Sequence, residues 1–529
     1  MKSKIISILG TLIFGFIYFY IALPAINIHT YEFWFFVTLL ILCFLLLTNL
    51  TTAKELVTGK LTMKRAVKNN KAILIIPVIY ISIAVLGFIG SPIFNAKKYA
   101  TRIEIKESDS FIKDVEKVDF SKLPLLDKAS SERLGDRVMG QMSELVSQFN
   151  VSNLYTQINY NGKIVRVTPL DYAGFIKWMT NRKNGIKGYI TVDSNNGESN
   201  LIKLDKGMKY VESGYFNDNL YRKLRFSYPF DSFGRISFEI DEEGHPYWIV
   251  PVIKYKFIEL RREVSHIIIL DPITGESRKI KVGEVPSWVD MVYFADLIIE
   301  EVDDWGTYNK GYFNSILGQK NVVNTTEGYN YLAYNDDIYL YTGITSIVAD
   351  ESNLGYILTN MRTKETTFYK VPGAEEYSAM ASAEGAVQHL GYTSTFPLLI
   401  NLNNKPTYLV SLKDDAGLVK MYAFIDVTDY QKVVVTDSSK GIKAAAHNYL
   451  GDEKYELPND ELNTKEIIIK RITSASVNGN TYYYIVDTHN KKYKVSITTS
   501  DNLPFLISGS KVKIGYALEE EITIINKIY

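Results

Sequence analysis

Six histidines, one cysteine and several adjacent pairs of acids are the residues through which this chain could do chemistry. The histidines stand at 29, 245, 266, 389, 447 and 489, and no two lie within four residues of each other. A helical pair of zinc ligands needs that spacing, as in His-Glu-x-x-His, and the pattern is absent. Two Glu-x-x-His spacings occur, Glu242 with His245 and Glu263 with His266. The first reads as a turn and the second leads into a strand, so neither pair shares a helix face. No Gly-x-Ser-x-Gly elbow prepares a serine nucleophile. Cys43 lies inside an apolar run, which removes it from thiolate chemistry and leaves no intrachain disulfide or thiolate metal site. The acid pairs are Asp303-Asp304, Asp336-Asp337, Glu375-Glu376 and Asp414-Asp415. A glycosidase needs two carboxyls facing each other across a cleft, roughly 5 to 9.5 Å apart. Adjacency does not supply that, and solvated turns and helix caps account for these pairs. The sequence predicts no catalytic residue, no cofactor and no metal.

Residues suited to holding a partner are easier to find. Tyr482-Tyr483-Tyr484 reads as part of a strand, which puts Tyr482 and Tyr484 on one face as a stacking surface. Tyr377 to Ala386 reads as a helix unusually rich in small residues. Those residues permit a close approach of helix to sheet. Alternatively they leave a groove in which Tyr377, Met380 and Glu384 meet an extended peptide. His389 reads as a cation at that helix's C-terminus. The 38 tyrosines fit a sheet-rich protein. The 59 basic and 59 acidic residues cancel, against a broad nucleic-acid surface, which needs uncompensated Lys and Arg.

The elements that must position these residues begin with three apolar runs, Ile5 to Ile26, Tyr31 to Leu50 and Ala72 to Gly90. Each is about the 20 residues a helix needs to cross a bilayer core. A cleaved signal peptide is the alternative for the first, disfavoured by its length and by the span that follows at once. Lys2 and Lys4 precede span one, and the loop after span two carries Lys54, Lys60, Lys64, Arg65, Lys68 and Lys71 against Glu55. The link Pro24 to Thr30 has no Lys or Arg. Positive-inside logic therefore predicts a multi-pass cell-membrane protein with a cytoplasmic N-terminus and residues 93–529 outside, although Lys97, Lys98 and Arg102 oppose it slightly. No ionisable residue lies mid-span, so the helices read as an anchor and not a transport path.

Residues 1–92 are thus expected to form the anchor and 93–150 a stalk ending in a helix over Ser130 to Phe149. Beyond it four blocks recur in order. Asn161 to Thr168 resembles Asn335 to Thr342, and Gly188-Tyr-Ile190 resembles Gly355-Tyr-Ile357. Ile236 to Val250 resembles Leu398 to Val410, and His266 to Asp271 resembles Met421 to Asp426. The spacing predicts duplicated α+β units over 151–283 and 330–440, each a helix on an antiparallel sheet. A helical connector is expected over 284–329, starting at Pro286 and resuming after Gly306. Five short strands over 462–529 predict a small OB- or SH3-like β-barrel.

The meander Pro246 to Val250 followed by His266 to Glu276 resembles the PepSY pattern, in which a "strand, D-x-x-T-G-E, strand" hairpin closes the unit. Asp271, Thr274, Gly275 and Glu276 stand at the matching places, whereas the second copy has Asp426-Val-Thr-Asp-Tyr-Gln431 and lacks the glycine. The stretch from Asp350 through Gln388 is similar to membrane proteins of Firmicutes with no assigned activity. The resemblance implies a non-catalytic regulatory or binding role in the cell envelope, for example restraining a peptidase. Envelope proteins or cell-wall polymer are the expected partners. An envelope hydrolase using acids of the repeats, and an accessory subunit of a membrane complex, are the alternatives.

Overall fold

In a computed structural model of the chain, the described residues are 2–48, 74–140, 143–334, 336–347, 349–451, 463–477, 480–516, 519, 521–525 and 527–529. The basic loop 54–71 and the turn Asn478-Gly479 lie outside them. Helices α1 (Lys2–Ala22) and α2 (Tyr31–Thr48) are long and apolar enough to cross a membrane. Their Ile, Leu and Phe side chains face outward while every interior backbone group is bonded within the helix, the arrangement lipid demands. The third apolar run forms α3 (Ile75–Gly90), which bends by 51° into α4 (Pro92–Ala100); the bent pair also meets that test if counted as one span. Leu23 takes a left-handed conformation (φ 52°) and Pro24 follows, which stops α1.

The expected stalk is folded structure. Tyr99, Arg102 and Ile103 are buried, and so are Phe111, Phe120, Leu123 and Leu125 further on. The helix expected over 130–149 is found as α5 (Lys128–Gly140), with Asp127 accepting from the amide of Ser130 at 2.9 Å, and as a further turn at Ser143–Val146, before Phe149 opens a strand.

Four sheets follow. The first holds β1 (Phe149–Val151), β2 (Thr156–Tyr160), β3 (Lys163–Tyr172), β4 (Ile186–Asp193) and β5 (Ser199–Met208), ordered β1-β3-β4-β5 with β2 also on β3. After α6 (Phe175–Asn181) and α7 (Leu220–Ser227), the second holds β6 (Ser232–Phe233), β7 (Ser237–Ile240), β8 (Pro246–Lys254), β9 (Glu263–Leu270) and β10 (Ser277–Lys281). Its order is β6-β8-β9-β10 with β7 on β8. Helix α8 (Ala295–Tyr308) leads to β11 (Val323–Thr325), β12 (Asn330–Tyr334), β13 (Asp337–Ser346), β14 (Ala349–Asn360) and β15 (Thr366–Tyr369). That third sheet runs β11-β13-β14-β15 with β12 on β13, besides two short outer strands. Helix α9 (Glu376–Ala386) precedes β16 (Thr393–Ser394), β17 (Leu398–Leu402), β18 (Lys405–Lys413), β19 (Val419–Asp426) and β20 (Val433–Asp437), and α10 (Ile442–Leu450) follows. Here the order is β16-β18-β19-β20 with β17 on β18. The first and third sheets therefore share one strand order, and so do the second and fourth. Asn161-Gly162 (φ 52° and 75°) and Asn403-Asn404 (φ 52° and 62°) make the tight hairpins, where both central residues need positive φ.

The second sheet is apolar on both faces. Trp248, Val250, Val252, Ile268 and Leu270 join one core with Phe238, Leu220 and Leu224. The intervening Ile249, Ile267 and Ile269 join another with Leu297, Ile298 and Val302 of α8 and Ile338, Leu340 and Ile344 of β13. Period-two alternation sends successive residues into different cores, which explains the unbroken run Ile267 to Leu270. Each such side chain contributes about 2 kcal/mol over leaving it exposed.

The connector departs from expectation. Residues 286–294 are irregular and α8 begins only at Ala295, with Gly306 inside it. The amides that would have opened a helix at Pro286 are taken elsewhere: those of Asp290 and Met291 by Glu239, and that of Tyr293 by the Met361 carbonyl at 2.9 Å.

At the C-terminus β21 (Asn463–Val477), β22 (Asn480–Asp487), β23 (Lys492–Ser496), β24 (Lys511–Tyr516), β25 (Ile522–Ile524) and β26 (Lys527–Ile528) form a half-barrel, ordered β25-β23-β22-β21-β24-β26. β25 runs parallel to β23, and β26 antiparallel to β24. The described residues divide into two compact units, one of 1–107, 122–350 and 356–368, the other of 108–121, 351–355 and 369–529.

Candidate functional site

The first unit holds a cavity between the end of α1, the start of α2 and the segments around α7. Helix α1 leaves its last carbonyls without partners inside the helix, and α7 supplies donors. Arg222 Nε donates to Tyr20 O at 3.1 Å and Arg225 Nε to Leu23 O at 3.0 Å. The two arginines are three residues apart, hence on one helix face, and a cation is favoured at a helix C-terminus. Each guanidinium also lies over a ring, Arg222 over Tyr20 at 4.2 Å and Arg225 over Phe233 at 4.5 Å. Asn219 fixes the start of α7, accepting from Arg222 N and donating to the carbonyls of Glu212 and Gly214.

The link between α1 and α2 is tied to the same body by its backbone. Ile26 N donates to Pro229 O at 2.8 Å and Glu259 N to His29 O at 2.9 Å. Tyr31 N donates to Glu259 Oε1 at 2.8 Å, and His29 Nδ1 lies 3.0 Å from Phe257 O. The end of α3 meets the same segment, since a Cβ on Gly90 would come within 2.7 Å of the Phe257 ring.

Between these contacts lies a cavity of about 1080 Å³, walled by Tyr20 to Leu23, Thr30 and Glu32 on one side and by parts of 212–234, Tyr255 and Glu259 on the other. Its charged groups are Arg222, Arg225, Glu32, Glu212 and Glu259. Burial pulls the Arg225 guanidinium below its ordinary pKa and pushes the Glu212 carboxyl up, against the lowering effect of its hydrogen bond from Tyr221. Three lining residues are not glycine yet have positive φ: Leu23 (52°), Phe216 (50°) and Glu259 (52°). For bulky side chains this is a sparsely populated conformation, and such strain gathers at binding sites. Sequence reading passed over this place. Its available signals were Glu32 at the edge of an apolar run and two arginines three apart; neither identifies a site without the fold.

The residues singled out from sequence lie elsewhere. Tyr482 is only 4% exposed, with Lys494 Nζ over its ring at 4.0 Å, and Tyr484 is half-buried. Tyr483 packs on the half-barrel core with Ile485, so alternation puts Tyr482 and Tyr484 together on the opposite face, where Tyr482 is covered. On α9, Tyr377 is exposed and Met380 half-buried, while Glu384 accepts from Ser394 N at 2.8 Å and Oγ at 2.7 Å. Ala379 and Ala383 are fully buried, so the small residues serve close packing on the sheet.

The acid pairs are less solvated than expected. Asp304 pairs with Arg102, Asp303 accepts from Thr325 N at 2.8 Å, and Asp337 binds Arg362 and Asn360. Glu376 is buried and accepts from Asn353 Nδ2 at 3.0 Å, while Glu375 and Glu376 open α9 and Asp414 caps a turn, both as expected. Glu242 and His245 flank a turn, where His245 Nε2 lies 3.3 Å from Asp271 Oδ2. Among the described residues no cluster of His, Cys, Asp or Glu could hold a metal ion. No family model matches the sequence, and comparison with curated proteins finds no match.

Proposed function

We propose that this is a non-catalytic binding or scaffold protein of the cell envelope, held by three spans with its N-terminus in the cytoplasm and residues 93–529 outside. The observation that carries this reading is the set of backbone bonds tying residues 26–31 to 229–259. They support a topology with the link between α1 and α2 on the same side as the body, and the approach of Gly90, at the end of α3, to Phe257 supports it too. The N-terminus and the loop 49–73 are then left to the opposite side. That loop is the one with six bases against a single acid, which favours the cytoplasm.

The body we read as two PepSY-like copies. The shared strand order supports duplication. At the PepSY-like turn, Asp271 Oδ1 accepts from the amides of Ile273 and Thr274, with Gly275 at φ 76°. Asp426 does the same for Thr428 and Asp429 without the glycine. The parallel pairing of β23 with β25 favours an OB-like terminal barrel. Envelope proteins or cell-wall polymer are the proposed partners.

Topology is tested in a Cys43→Ser background. An impermeant maleimide should label Glu243→Cys on intact cells and Lys60→Cys only after permeabilisation. The reverse pattern refutes the orientation, and labelling of both on intact cells refutes the third crossing.

A further inference from the structure

The groups around the junction cavity are spent unevenly. Arg222 and Arg225 use Nε and Nη1 on backbone carbonyls, while Nη2 of each donates no hydrogen bond among the described residues. Glu259 accepts from Tyr31 N through Oε1 and Glu32 from Ala25 N through Oε2. The second oxygen of each carboxylate has no hydrogen bond among the described residues. One cavity thus offers uncommitted cationic donors and uncommitted anionic acceptors, with Tyr20, Tyr215, Phe216 and Phe233 as flat walls. Its complement is a compact zwitterion, an anion for the guanidiniums joined by a short chain to a cation for the carboxylates.

Position narrows the source. The apolar window Ile5–Ala22 of α1 has 18 residues, about 27 Å of helix at 1.5 Å per residue, close to the roughly 30 Å of a hydrocarbon core. Tyr20 to Leu23, which wall the cavity, then sit where hydrocarbon gives way to headgroups. Primary ammonium is preferred to trimethylammonium, because carboxylate oxygens need a donor and a quaternary nitrogen has none. A headgroup with an anion but no cation leaves Glu32 and Glu259 unpaired.

We infer that the junction cavity binds the phosphoethanolamine headgroup of a membrane lipid, its phosphodiester at Arg222 and Arg225 and its ammonium at Glu259 and Glu32. This rests on the spans crossing a bilayer but not on their orientation. The bound lipid would wedge the first two helices to the body, making attachment of the body sensitive to membrane composition.

The test uses the full chain in detergent, where topology plays no part, titrated with dihexanoyl phosphatidylethanolamine, phosphatidylglycerol and phosphatidylcholine and with glycerophosphoethanolamine. The ethanolamine lipid should bind at least tenfold more tightly than the other two lipids and than the soluble headgroup. Arg222→Gln should weaken it tenfold or more, and Glu259→Gln, at an exposed side chain, should erase the preference over choline. If Arg222→Gln fails to fold, Glu259→Gln still decides. Equal binding of the three lipids, or an undiminished preference in Glu259→Gln, overturns the proposal. Equally tight binding of glycerophosphoethanolamine overturns the lipid as source.

Discussion

Glu239 lies on β7 with no solvent exposure and accepts hydrogen bonds from the amides of Asp290 (2.8 Å) and Met291 (3.2 Å) and from Ser237 Oγ (2.8 Å). Three donors favour the carboxylate, but desolvation outweighs them and lifts its pKa to about 7. Asp290, buried beside it, is raised well above its usual value by burial first and by Glu239 second. Glu301 is also lifted to about 7 by burial, in spite of Lys364 and Arg102. A carboxyl whose folded pKa exceeds its unfolded value binds more protons when folded. Its stabilisation is therefore complete below the unfolded pKa of 4.5 and fades as pH rises to about 7. For Glu239 that amounts to roughly 3 kcal/mol, at 1.36 kcal/mol per unit. Thermal unfolding of the full chain in detergent should show a Tm falling from pH 4.5 to pH 7 and then levelling. Glu239→Gln should flatten part of that slope, at a constant cost of about 1–3 kcal/mol because its amide N–H₂ meets backbone donors. An unchanged slope in Glu239→Gln would refute the assignment. None of this was legible beforehand. Ile236, Phe238 and Ile240 alternate toward one core, so Glu239 between them belongs to the other face, and only a second core on that side buries it.

At the scale of elements, strands were read well and the segments between them poorly, for a physical reason. A strand's period-two pattern and its turn residues are local, so β7 to β9 and β17 to β19 fall where alternation and turn residues put them, whereas the one last strand expected of the terminal barrel is divided into β25 and β26, which pair with different neighbours. The connector and the supposed stalk depend on distant partners. Arg102 is held by Glu300, Glu301 and Asp304 of α8, acids about two hundred residues away in sequence. Gly306 was read as a helix break, yet it sits inside α8 because a Cβ there would collide with the Val323 carbonyl oxygen of β11. Its smallness is required by packing, not by chain reversal. Gly306→Ala should therefore lower stability by about 1–3 kcal/mol through overpacking, outweighing the gain of up to about 1 kcal/mol in helix propensity. Gly385→Ala, in α9 with nothing within 4 Å of the added carbon, should be neutral or slightly stabilising. Equal effects of the two substitutions on Tm would disprove the packing argument.

In the first unit, large apolar side chains are exposed close to the end of α1. Phe226 of α7 packs edge-on against Phe19 of α1, with ring centroids 5.3 Å apart, and also lies against Tyr20. Ile176 is 60% exposed, Phe216 55% and Phe230 67%. Phe175 links α6 to this group through Tyr215 and Phe216, and Lys177, Arg182 and Lys183 lie on or just beyond α6. Aromatic rings with basic neighbours, continuous with the end of a span, have the composition of a membrane interface. The body should therefore rest on the bilayer through α6 and α7 rather than stand clear on a stalk, consistent with the folded state of residues 93–127. In a Cys43→Ser chain reconstituted in bilayers, spin labels at Ile176→Cys and Phe230→Cys should collide with oxygen more than with a water-soluble nickel chelate. That is the behaviour expected of Phe16→Cys on the outward face of α1, 63% exposed in the chain alone. Glu243→Cys, at a turn of the second sheet, should show the opposite preference. If Ile176→Cys and Phe230→Cys match Glu243→Cys, the body is held off the membrane and these rings face water or another protein.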